Sequence, residues 1–345
     1  MRKFALLPVA ALLMLGACSS DDPEVRPVPN DPVQSVPSVA DHVTLNAPAQ
    51  ADVKNEGSYF RVSYANGQEI VYAFLKDATK GYIATVKKIE GSSADVVIPA
   101  SVKYNNNDFA VYSLDLFLDG VSDVVTSLTI PNTAAAMVVN AAYVAVDGAY
   151  LRTQMERCQN VKKLELEDGF PGFCSINGAI YSADFKVLEC VPRGYEGTLT
   201  VAEDTEEIAP RALYYCSKID VLTIPAKVAK IGDEAVVFND NLLLINCLAT
   251  TAPEAVTGSF GTFAHNGVLR IPAGAEASYK PEKPTLERPI MPNEPDGDAS
   301  DEEWDAFYEA EAKYYEDLAV YDEANNAYTS HEGWVYFKNV ESVNF

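Results

Sequence analysis

The chain has 345 residues, of which 48% are hydrophobic, so it is long and apolar enough to build a large folded core. Its formal net charge is −24, which argues against binding to nucleic-acid phosphates or anionic lipid headgroups through a basic surface. Only three histidines and six cysteines are present in the sequence, which leaves little material for a histidine-based metal or acid–base site.

The N-terminus has the pattern of an export signal. A basic start precedes an apolar run from Phe4 to Ala17, which is too short to span a bilayer as a mature helix. The run ends in Leu15-Gly16-Ala17-Cys18, which resembles the lipobox of bacterial lipoproteins. The resemblance implies that residues 1–17 are a signal peptide and that Cys18 is lipidated. The alternative is an ordinary secretory cleavage next to an incidental cysteine.

Residues 18–42 are predicted to form a tether. Prolines stand here among Val, Asp and Ser without helical or strand periodicity, which favours extended conformers. Asp21 and Asp22 follow the cysteine closely and resemble a signal that sends some lipoproteins of Gram-negative bacteria to the cell surface. The alternative is that they only begin a soluble linker.

Residues 43–95 are predicted to be rich in β-strand. Two apolar segments, Tyr59–Tyr64 and Glu69–Leu75, flank Asn66-Gly67, a dipeptide that accepts the positive φ values of a tight turn. The pattern predicts a hairpin, followed by a third strand at Tyr82–Ile89.

The middle of the chain repeats itself with a period of 23 residues. Leu199 is matched by Leu222, and Ile208 by Ile231. The other matched pairs are Ala212 with Ala235, Cys216 with Asn239, and Ile219 with Leu242. Longer copies open at Val96 and Leu128, and a further copy opens at Ile245 and then degrades. A single repeat of this kind is too small to bury its own apolar residues, so repeats must stack, and each apolar residue is buried against the equivalent residue of the next repeat. Cys216 and Asn239 are predicted to share one buried position of the repeat. Asparagine can form hydrogen bonds with backbone groups at such a position.

Leu222-Thr223-Ile224-Pro225, Ile231 to Ala235 and Asn239 resemble the motifs of BspA-like leucine-rich-repeat proteins. The likeness extends to Val268–Tyr279 and to Gly333-Trp334 near the end of the chain. The resemblance implies an α/β leucine-rich-repeat solenoid, rich in β-strand, over residues 96–280. An N-terminal β region would precede it, an acidic helix would be inserted near the C-terminus, and residues 328–345 would cap it.

The inserted segment, residues 281–327, has 15 Asp and Glu against three Lys and Arg. Its first part is rich in proline and predicted to be extended. Ser300 and Glu303 form the pattern of a capping box, and apolar residues follow at helical spacing, which predicts a helix over 301–327. Asp296, Asp298, Ser300 and Glu302 also suggest a calcium loop, but such a loop needs a late glutamate and residue 307 is phenylalanine. Helix capping therefore explains these residues better than a metal site does.

Two groups of aromatic and apolar residues are candidates for ligand binding. Tyr214 and Tyr215 stand where the next repeat has Val237 and Phe238, so stacking would place the two pairs side by side at the surface. Packing between neighbouring coils is the favoured role for these residues, and ligand binding is the alternative. In the helix, Trp304, Tyr308 and Tyr315 could form an exposed platform for a glycan or a protein. For the helix the favoured interpretation is that its aromatic stripe, which includes Trp304, docks on the solenoid.

No pattern of residues predicts catalysis. If Cys18 is lipidated, five cysteines remain. Cys158 and Cys216 stand at the interior position of the repeat and Cys247 follows an apolar strand, so these three are predicted to be buried and reduced. No CxxC motif occurs, which argues against a redox or zinc site. The alternative for the other two cysteines is a bridge between Cys174 and Cys190. None of the three histidines lies in a catalytic motif, so we expect neither a catalytic site, nor a metal, nor a cofactor.

The anchor and the resemblance together imply a lipoprotein of the outer membrane that is exposed at the cell surface. Its predicted role is non-catalytic binding or adhesion to a host protein, a glycan or another cell, and not to nucleic acid. The alternative is a structural accessory subunit of an outer-membrane assembly that docks through the aromatic helix.

Overall fold

The computed structural model describes residues 59–77, 81–116, 120–139 and 142–345. The predicted signal peptide, Cys18, the tether and residues 43–58 of the predicted β region lie outside the described residues. The described part is rich in β-strand and has few helices. The N-terminal elements are β1 (Tyr59–Ser63), β2 (Gln68–Asp77), β3 (Gly81–Gly91), β4 (Asp95–Val97), β5 (Ser101–Tyr104), β6 (Asn107–Leu114), β7 (Ser127–Ile130), a short 3-10 helix (Asn132–Ala134), β8 (Ala136–Val139), β9 (Ala142–Ala145), α1 (Gly148–Met155) and β10 (Lys163–Leu166). The elements that follow are β11 (Phe173–Ile176), β12 (Ala179–Ser182), β13 (Val187–Cys190), β14 (Gly197–Thr200), β15 (Glu207–Ile208), β16 (Ile219–Ile224), β17 (Lys230–Ile231), β18 (Leu244–Cys247), β19 (Glu254–Ala255), α2 (Phe263–Asn266), β20 (Val268–Pro272), α3 (Glu276–Tyr279), α4 (Asp301–Thr329), α5 (Glu332–Val335) and β21 (Asn339–Val343).

The N-terminal strands form a mixed sheet in the order β1-β2-β3-β6-β8-β9, with β5 paired to β6. The predicted hairpin is confirmed, because β1 and β2 are antiparallel and joined by the Asn66-Gly67 turn, in which only Gly67 has a positive φ. The predicted third strand is confirmed as β3. Phe60 stacks on Tyr72 and on Phe74, so one face of this sheet is buried by aromatic rings.

A second, parallel sheet has the order β10-β7-β4. Val96 lies opposite Leu128, and Leu128 lies opposite Leu164, as the longer repeats predict. The chain between β7 and β10 departs from the repeat: it forms an antiparallel pair, β8 and β9, that joins the N-terminal sheet through β6, and then α1.

The residues of the 23-residue repeat lie in two parallel ladders. In the ladder β14-β16-β18-β20, Leu199 is opposite Leu222, Leu222 is opposite Ile245, and Ile245 is opposite Leu269. In the ladder β13-β15-β17-β19, Ile208 is opposite Ile231 and Ile231 is opposite Ala255. All of these side chains are buried in one core cluster. The predicted register of the repeat is therefore confirmed in both ladders.

Cys216 and Asn239 are buried at equivalent positions, as predicted. The Cys216 thiol lies 3.5 Å from the carbonyl oxygen of Val191. The side-chain amide of Asn239, in contrast, has no hydrogen-bond partner within the described residues, so the expectation that asparagine satisfies backbone groups here is wrong.

The C-terminal residues close the larger ladder. β21 pairs in parallel with β20, and α5 brings Trp334 into the core against Phe260, Tyr279 and Phe337. The residues between α3 and α5 form a segment without regular secondary structure, followed by α4. None of them adds a strand to the ladder, so β21 pairs directly with β20 despite the long insertion between them.

The five described cysteines are free thiols, so the possible bridge between Cys174 and Cys190 is not formed. Cys158, Cys190, Cys216 and Cys247 are buried, and Cys174 is half-buried. Burial raises the pKa of Cys158 and of Cys190 to about 12. These thiols are therefore protonated and poorly nucleophilic near neutral pH.

We predict that Cys174 reacts with a thiol reagent at pH 8 much faster than the four buried cysteines do, because it is the one described cysteine that is half-buried and not buried. Thiol titration of the native chain, prepared from residue 19 onward, measures this difference. Cys174→Ser should remove the fast phase, whereas Cys216→Ser should leave it in place. A fast phase that survives Cys174→Ser would contradict the burial described above.

Candidate binding surface

The aromatic candidates lie in two turns stacked on each other. Tyr214 and Tyr215 follow β15, and Val237 and Phe238 follow β17 one repeat later. The Tyr215 backbone N–H donates to the carbonyl oxygen of Val237, at 3.1 Å between the heavy atoms. Backbone hydrogen bonds between the turns therefore set the distance between the side chains, as the repeat spacing predicts.

The rings of Tyr214, Tyr215 and Phe238 form a cluster, called here the aromatic cluster. Tyr215 and Phe238 are stacked, with ring centroids 4.5 Å apart and an interplanar angle of 16°. The Tyr214 ring stands edge-on to both, at 4.8 Å from Tyr215 and 5.3 Å from Phe238. Tyr215 is 44% exposed and Phe238 is 45% exposed, while Tyr214 and Val237 are half-buried. Exposed aromatic rings with phenolic hydroxyls can make both apolar contacts and hydrogen bonds, which suits contact with a glycan or with a protein loop.

Two arginines, which the sequence analysis does not single out, border the aromatic cluster. The Arg211 guanidinium lies 3.9 Å from the centroid of the Tyr214 ring, and that of Arg193 lies 5.1 Å from the centroid of the Tyr215 ring. Glu156 pairs with Arg211 at 3.0 Å and approaches Arg193 at 3.9 Å. The Glu156 carboxylate therefore holds both cations near the ring faces, which favours fixed ring positions. Arg211 precedes Tyr214 in the same turn, a signal present in the sequence, whereas only the fold brings in Arg193 and Glu156.

The backbone of the aromatic cluster is strained. Tyr215 has a φ of +61° and Phe238 a φ of +59°, the left-handed region that bulky residues rarely adopt. The equivalent residue of the following repeat is Gly261, with a φ of +52°. Glycine takes this conformation without steric cost, whereas Tyr215 and Phe238 adopt a backbone conformation that is unfavourable for their residue types.

We predict that Tyr215→Gly is more stable than Tyr215→Ala by about 1 kcal/mol, because alanine keeps the left-handed strain and glycine relieves it. Chemical denaturation of the two variants measures the difference in unfolding free energy. Equal stabilities, or a less stable glycine variant, would show that residue 215 is not held in the left-handed region.

A cavity of about 290 Å³ lies next to the aromatic cluster. It is lined by Phe238, Asn239, Asp240, Leu242, Leu243, Thr262, Phe263, Asn266 and Gly267. Its volume is near the lower end of the range for ligand pockets, about 300 Å³. Leu243 at its edge is 67% exposed, and Phe238 belongs both to the aromatic cluster and to the cavity lining.

The other candidates, Trp304, Tyr308 and Tyr315, lie on α4. The predicted helix and its capping box are confirmed, because the Ser300 hydroxyl accepts from the Glu303 N–H and the Glu303 carboxylate accepts from the Ser300 N–H. No residue of α4 is buried, and no other described helix or strand packs extensively on it. The described helices and strands therefore do not support the interpretation that α4 docks on the solenoid. An apolar stripe predicts that a helix face is covered, but it does not identify what covers it.

Among the described residues, no group of three or more His, Cys, Asp or Glu is placed to hold a metal ion. Asp296, Asp298 and Glu302 are solvent-exposed, and Ser300 serves as the helix cap. In the described part of the chain, no helix combines the length and the apolarity needed to cross a lipid bilayer.

Comparisons with known proteins give structural likenesses only. No protein-family model matches the chain, and neither does any curated protein. A leucine-rich repeat protein from Eubacterium ventriosum matches 60% of this chain and 77% of its own length, at 13% identity and a TM-score of 0.29. A leucine rich cell surface protein from Faecalibacterium prausnitzii matches 63% and 92%, at 12% identity and a TM-score of 0.28. A leucine-rich repeat protein from Bacteroides ovatus matches 59% and 48%, at 18% identity and a TM-score of 0.28. At TM-scores this low, these likenesses carry no argument about function.

Proposed function

We propose that the chain is a non-catalytic binding or adhesion lipoprotein of the cell surface. It presents its recognition surface to a host protein, a glycan or another cell. The observation that carries the proposal is the aromatic cluster, in which the exposed rings of Tyr215 and Phe238 are stacked on a backbone with positive φ. Arg193 lies over the Tyr215 ring and Arg211 lies over the neighbouring Tyr214 ring. Exposed aromatic residues that are fixed in place contribute most to binding because little conformational entropy is lost on contact.

The proposed architecture is a leucine-rich-repeat solenoid of the BspA-like kind. The register of both ladders supports it, because residues one repeat apart, such as Leu222 and Ile245, are paired and buried together. A stack of such repeats forms an extended, rigid surface on which exposed residues vary without disturbing the core.

The proposed location is the outer membrane, with the chain facing outward on a lipid anchor at Cys18. The lipobox resemblance and the proline-rich tether of residues 18–42 support this proposal. Cys18→Ser should move the protein from the membrane fraction to the soluble fraction, because the acyl chains supply the attachment. Protease treatment of intact cells should degrade the wild-type protein only if it faces outward. Retention of Cys18→Ser in the membrane fraction would argue against the anchor.

The proposed partners are the membrane, reached through the anchor, and a protein or glycan ligand, but not nucleic acid. The charge of −24 supports the exclusion of nucleic acid. The buried and protonated state of Cys158 and Cys190 supports a role in which these two thiols do not react.

The adhesion proposal is tested by binding of the full-length protein to arrays of purified matrix proteins and of glycans. We expect a saturable ligand whose affinity falls by about tenfold or more in the double variant Tyr215→Ala/Phe238→Ala. Phe185→Ala is the matched control, because Phe185 is also 45% exposed and also has a positive φ, of +64°, but lies on another turn. No saturable ligand, or equal losses in the two variants, would contradict the proposal.

The second candidate function is an accessory subunit of an outer-membrane assembly. The observation that favours it is that α4 has no buried residue, which leaves a long aromatic helix free to contact another protein. Deletion of residues 281–327 should then abolish association with envelope proteins while surface display persists. Adhesion that instead depends on Tyr215 and Phe238 supports the first function.

A further inference from the structure

Residues 281–329 form a segment, called here the arm, whose helix has no buried residue and makes no extensive contact with another described helix or strand. The described hydrogen bonds and ion pairs of α4 stay within the helix and its caps, as in the pair of Lys313 with Asp317 at 2.8 Å. At its C-terminal end the arm is fixed to the body by the Ala255 N–H, which donates to the Ser330 carbonyl oxygen at 2.6 Å. The helix is therefore presented to solvent and to other molecules.

One face of α4 is already shielded within the arm. Half-buried residues recur at alternating spacings of three and four, at Trp304, Phe307, Glu311, Tyr314, Leu318, Tyr321, Asn325 and Tyr328. In the extended segment before the helix, the half-buried residues include Pro281, Pro284, Pro289, Pro292 and Pro295. An extended proline-rich chain has three residues per turn, so Pro281 and Pro284 share one side, as do Pro289, Pro292 and Pro295. From these two burial patterns we infer that the prolines cover this stripe of the helix.

A second stripe of α4 remains open. Tyr308, Ala312, Tyr315 and Ala319 are spaced by four, three and four residues, which places them on one face of a helix. Tyr308 is 55% exposed and Tyr315 is 56% exposed. Tyrosines alternate here with alanines. The small alanine side chains let another helix approach closely, while the two tyrosine rings provide apolar contacts on either side.

The open stripe is bordered by negative charge on both sides. At 100° per residue, Asp305, Glu309, Glu316 and Glu323 lie along one edge, and Glu311 and Asp322 lie along the other. The helix as a whole carries ten Asp and Glu and one Lys. A surface of this kind favours a partner with positive charge on either side of an apolar ridge.

We infer that the open stripe of α4 is a docking site for a cationic amphipathic helix of another polypeptide. Its apolar ridge packs on Tyr308 and Tyr315, and its lysines and arginines pair with the flanking carboxylates. A second copy of this chain does not fit, because it presents the same acidic edges, and like charges oppose contact. The anionic surface of a membrane is excluded by the same argument. This site is separate from the aromatic cluster and does not depend on adhesion.

The inference is tested with two labelled peptides and the full-length protein. One peptide has leucine and alanine on one helical face and lysine on its flanks; the other has glutamate in place of each lysine. Fluorescence anisotropy should show saturable binding of the lysine peptide at low salt, weaker binding at high salt, and no binding of the glutamate peptide. A protein that does not bind the lysine peptide would overturn the inference, as would equal binding of both peptides.

Three variants separate specific docking from simple charge attraction. Tyr308→Ala/Tyr315→Ala leaves the charge unchanged and should weaken binding by about tenfold or more. Glu309→Gln/Glu316→Gln should weaken binding by a smaller factor and reduce its dependence on salt. Val320→Ala is the matched control, because Val320 is 58% exposed on another face of the same helix, and it should bind as the wild type does. Circular dichroism checks that each variant keeps the helix.

Binding that survives Tyr308→Ala/Tyr315→Ala would mean nonspecific attraction and would overturn the inference. An equal loss in Val320→Ala would overturn it as well, because the effect would not then be confined to the open stripe. Sedimentation of the protein alone should show a monomer. A dimer that Tyr308→Ala/Tyr315→Ala dissociates would assign the stripe to self-association instead.

Discussion

Trp334→Ala should lower the free energy of unfolding by about 3–5 kcal/mol. Trp334 is fully buried, and its ring centroid lies 4.6 Å from that of Phe260 and 5.0 Å from that of Tyr279. Its indole N–H donates to the Pro253 carbonyl oxygen at 2.6 Å. The substitution therefore opens a large cavity and leaves a buried carbonyl without its partner. Urea denaturation followed by circular dichroism measures the loss.

This side chain holds the C-terminal residues together with the pairing of β21 and β20, so its loss should also loosen α5 and β21. Val335→Ala is the matched control, because the adjacent Val335 is 37% exposed, and it should cost no more than about 0.5 kcal/mol. Trp334→Phe should fall between the two, since it keeps part of the ring and loses the hydrogen bond. If Trp334→Ala costs less than about 1 kcal/mol, Trp334 does not anchor the cap.

Ile231→Ala should lower the free energy of unfolding by about 2–5 kcal/mol. Ile231 is 2% exposed and lies in the ladder between Ile208 and Ala255, so removing its side chain leaves a cavity between consecutive repeats. The close packing of the ladder limits how far the neighbours can move to fill the space. Chemical denaturation measures the change.

Lys230→Ala is the control for Ile231→Ala. Lys230 precedes Ile231 in the same strand but points to solvent, and its ion pair with Glu207, at 2.8 Å, is exposed. Such pairs contribute at most about 1 kcal/mol, so Lys230→Ala should have a small effect. Similar losses in the two variants would place Ile231 outside the shared core and remove the physical basis of the repeat stack.

The parts of the fold that the sequence predicted are those with a regular spacing of apolar residues. The matches of Leu199 with Leu222 and of Ile208 with Ile231 predicted pairs that are opposite each other in the two ladders. Ser300 with Glu303 predicted the start of α4 to the residue. These signals are local or strictly periodic, so they follow from backbone geometry alone.

The candidate site was predicted only in part. The 23-residue spacing brings Tyr215 and Phe238 together, but Arg193 and Glu156 come from outside this repeat and reach the rings through chain reversals that no spacing encodes. The β8–β9 pair was missed for the same reason, because it joins a sheet whose other strands lie earlier in the chain.

The sequence by itself determined the period of the repeats, the column of buried residues and the ends of the long helix. Each depends on residue types at short or constant separations along the chain. The fixed periods of helices, strands and repeats then decide which side of an element each residue occupies. Only the tertiary structure decided which ring faces carry an arginine and which stripe of α4 stays open. Those outcomes depend on where distant segments lie, such as the proline-rich segment before the helix. An apolar stripe in the sequence shows that one face of a helix is suited to burial, but several different segments or proteins could cover it.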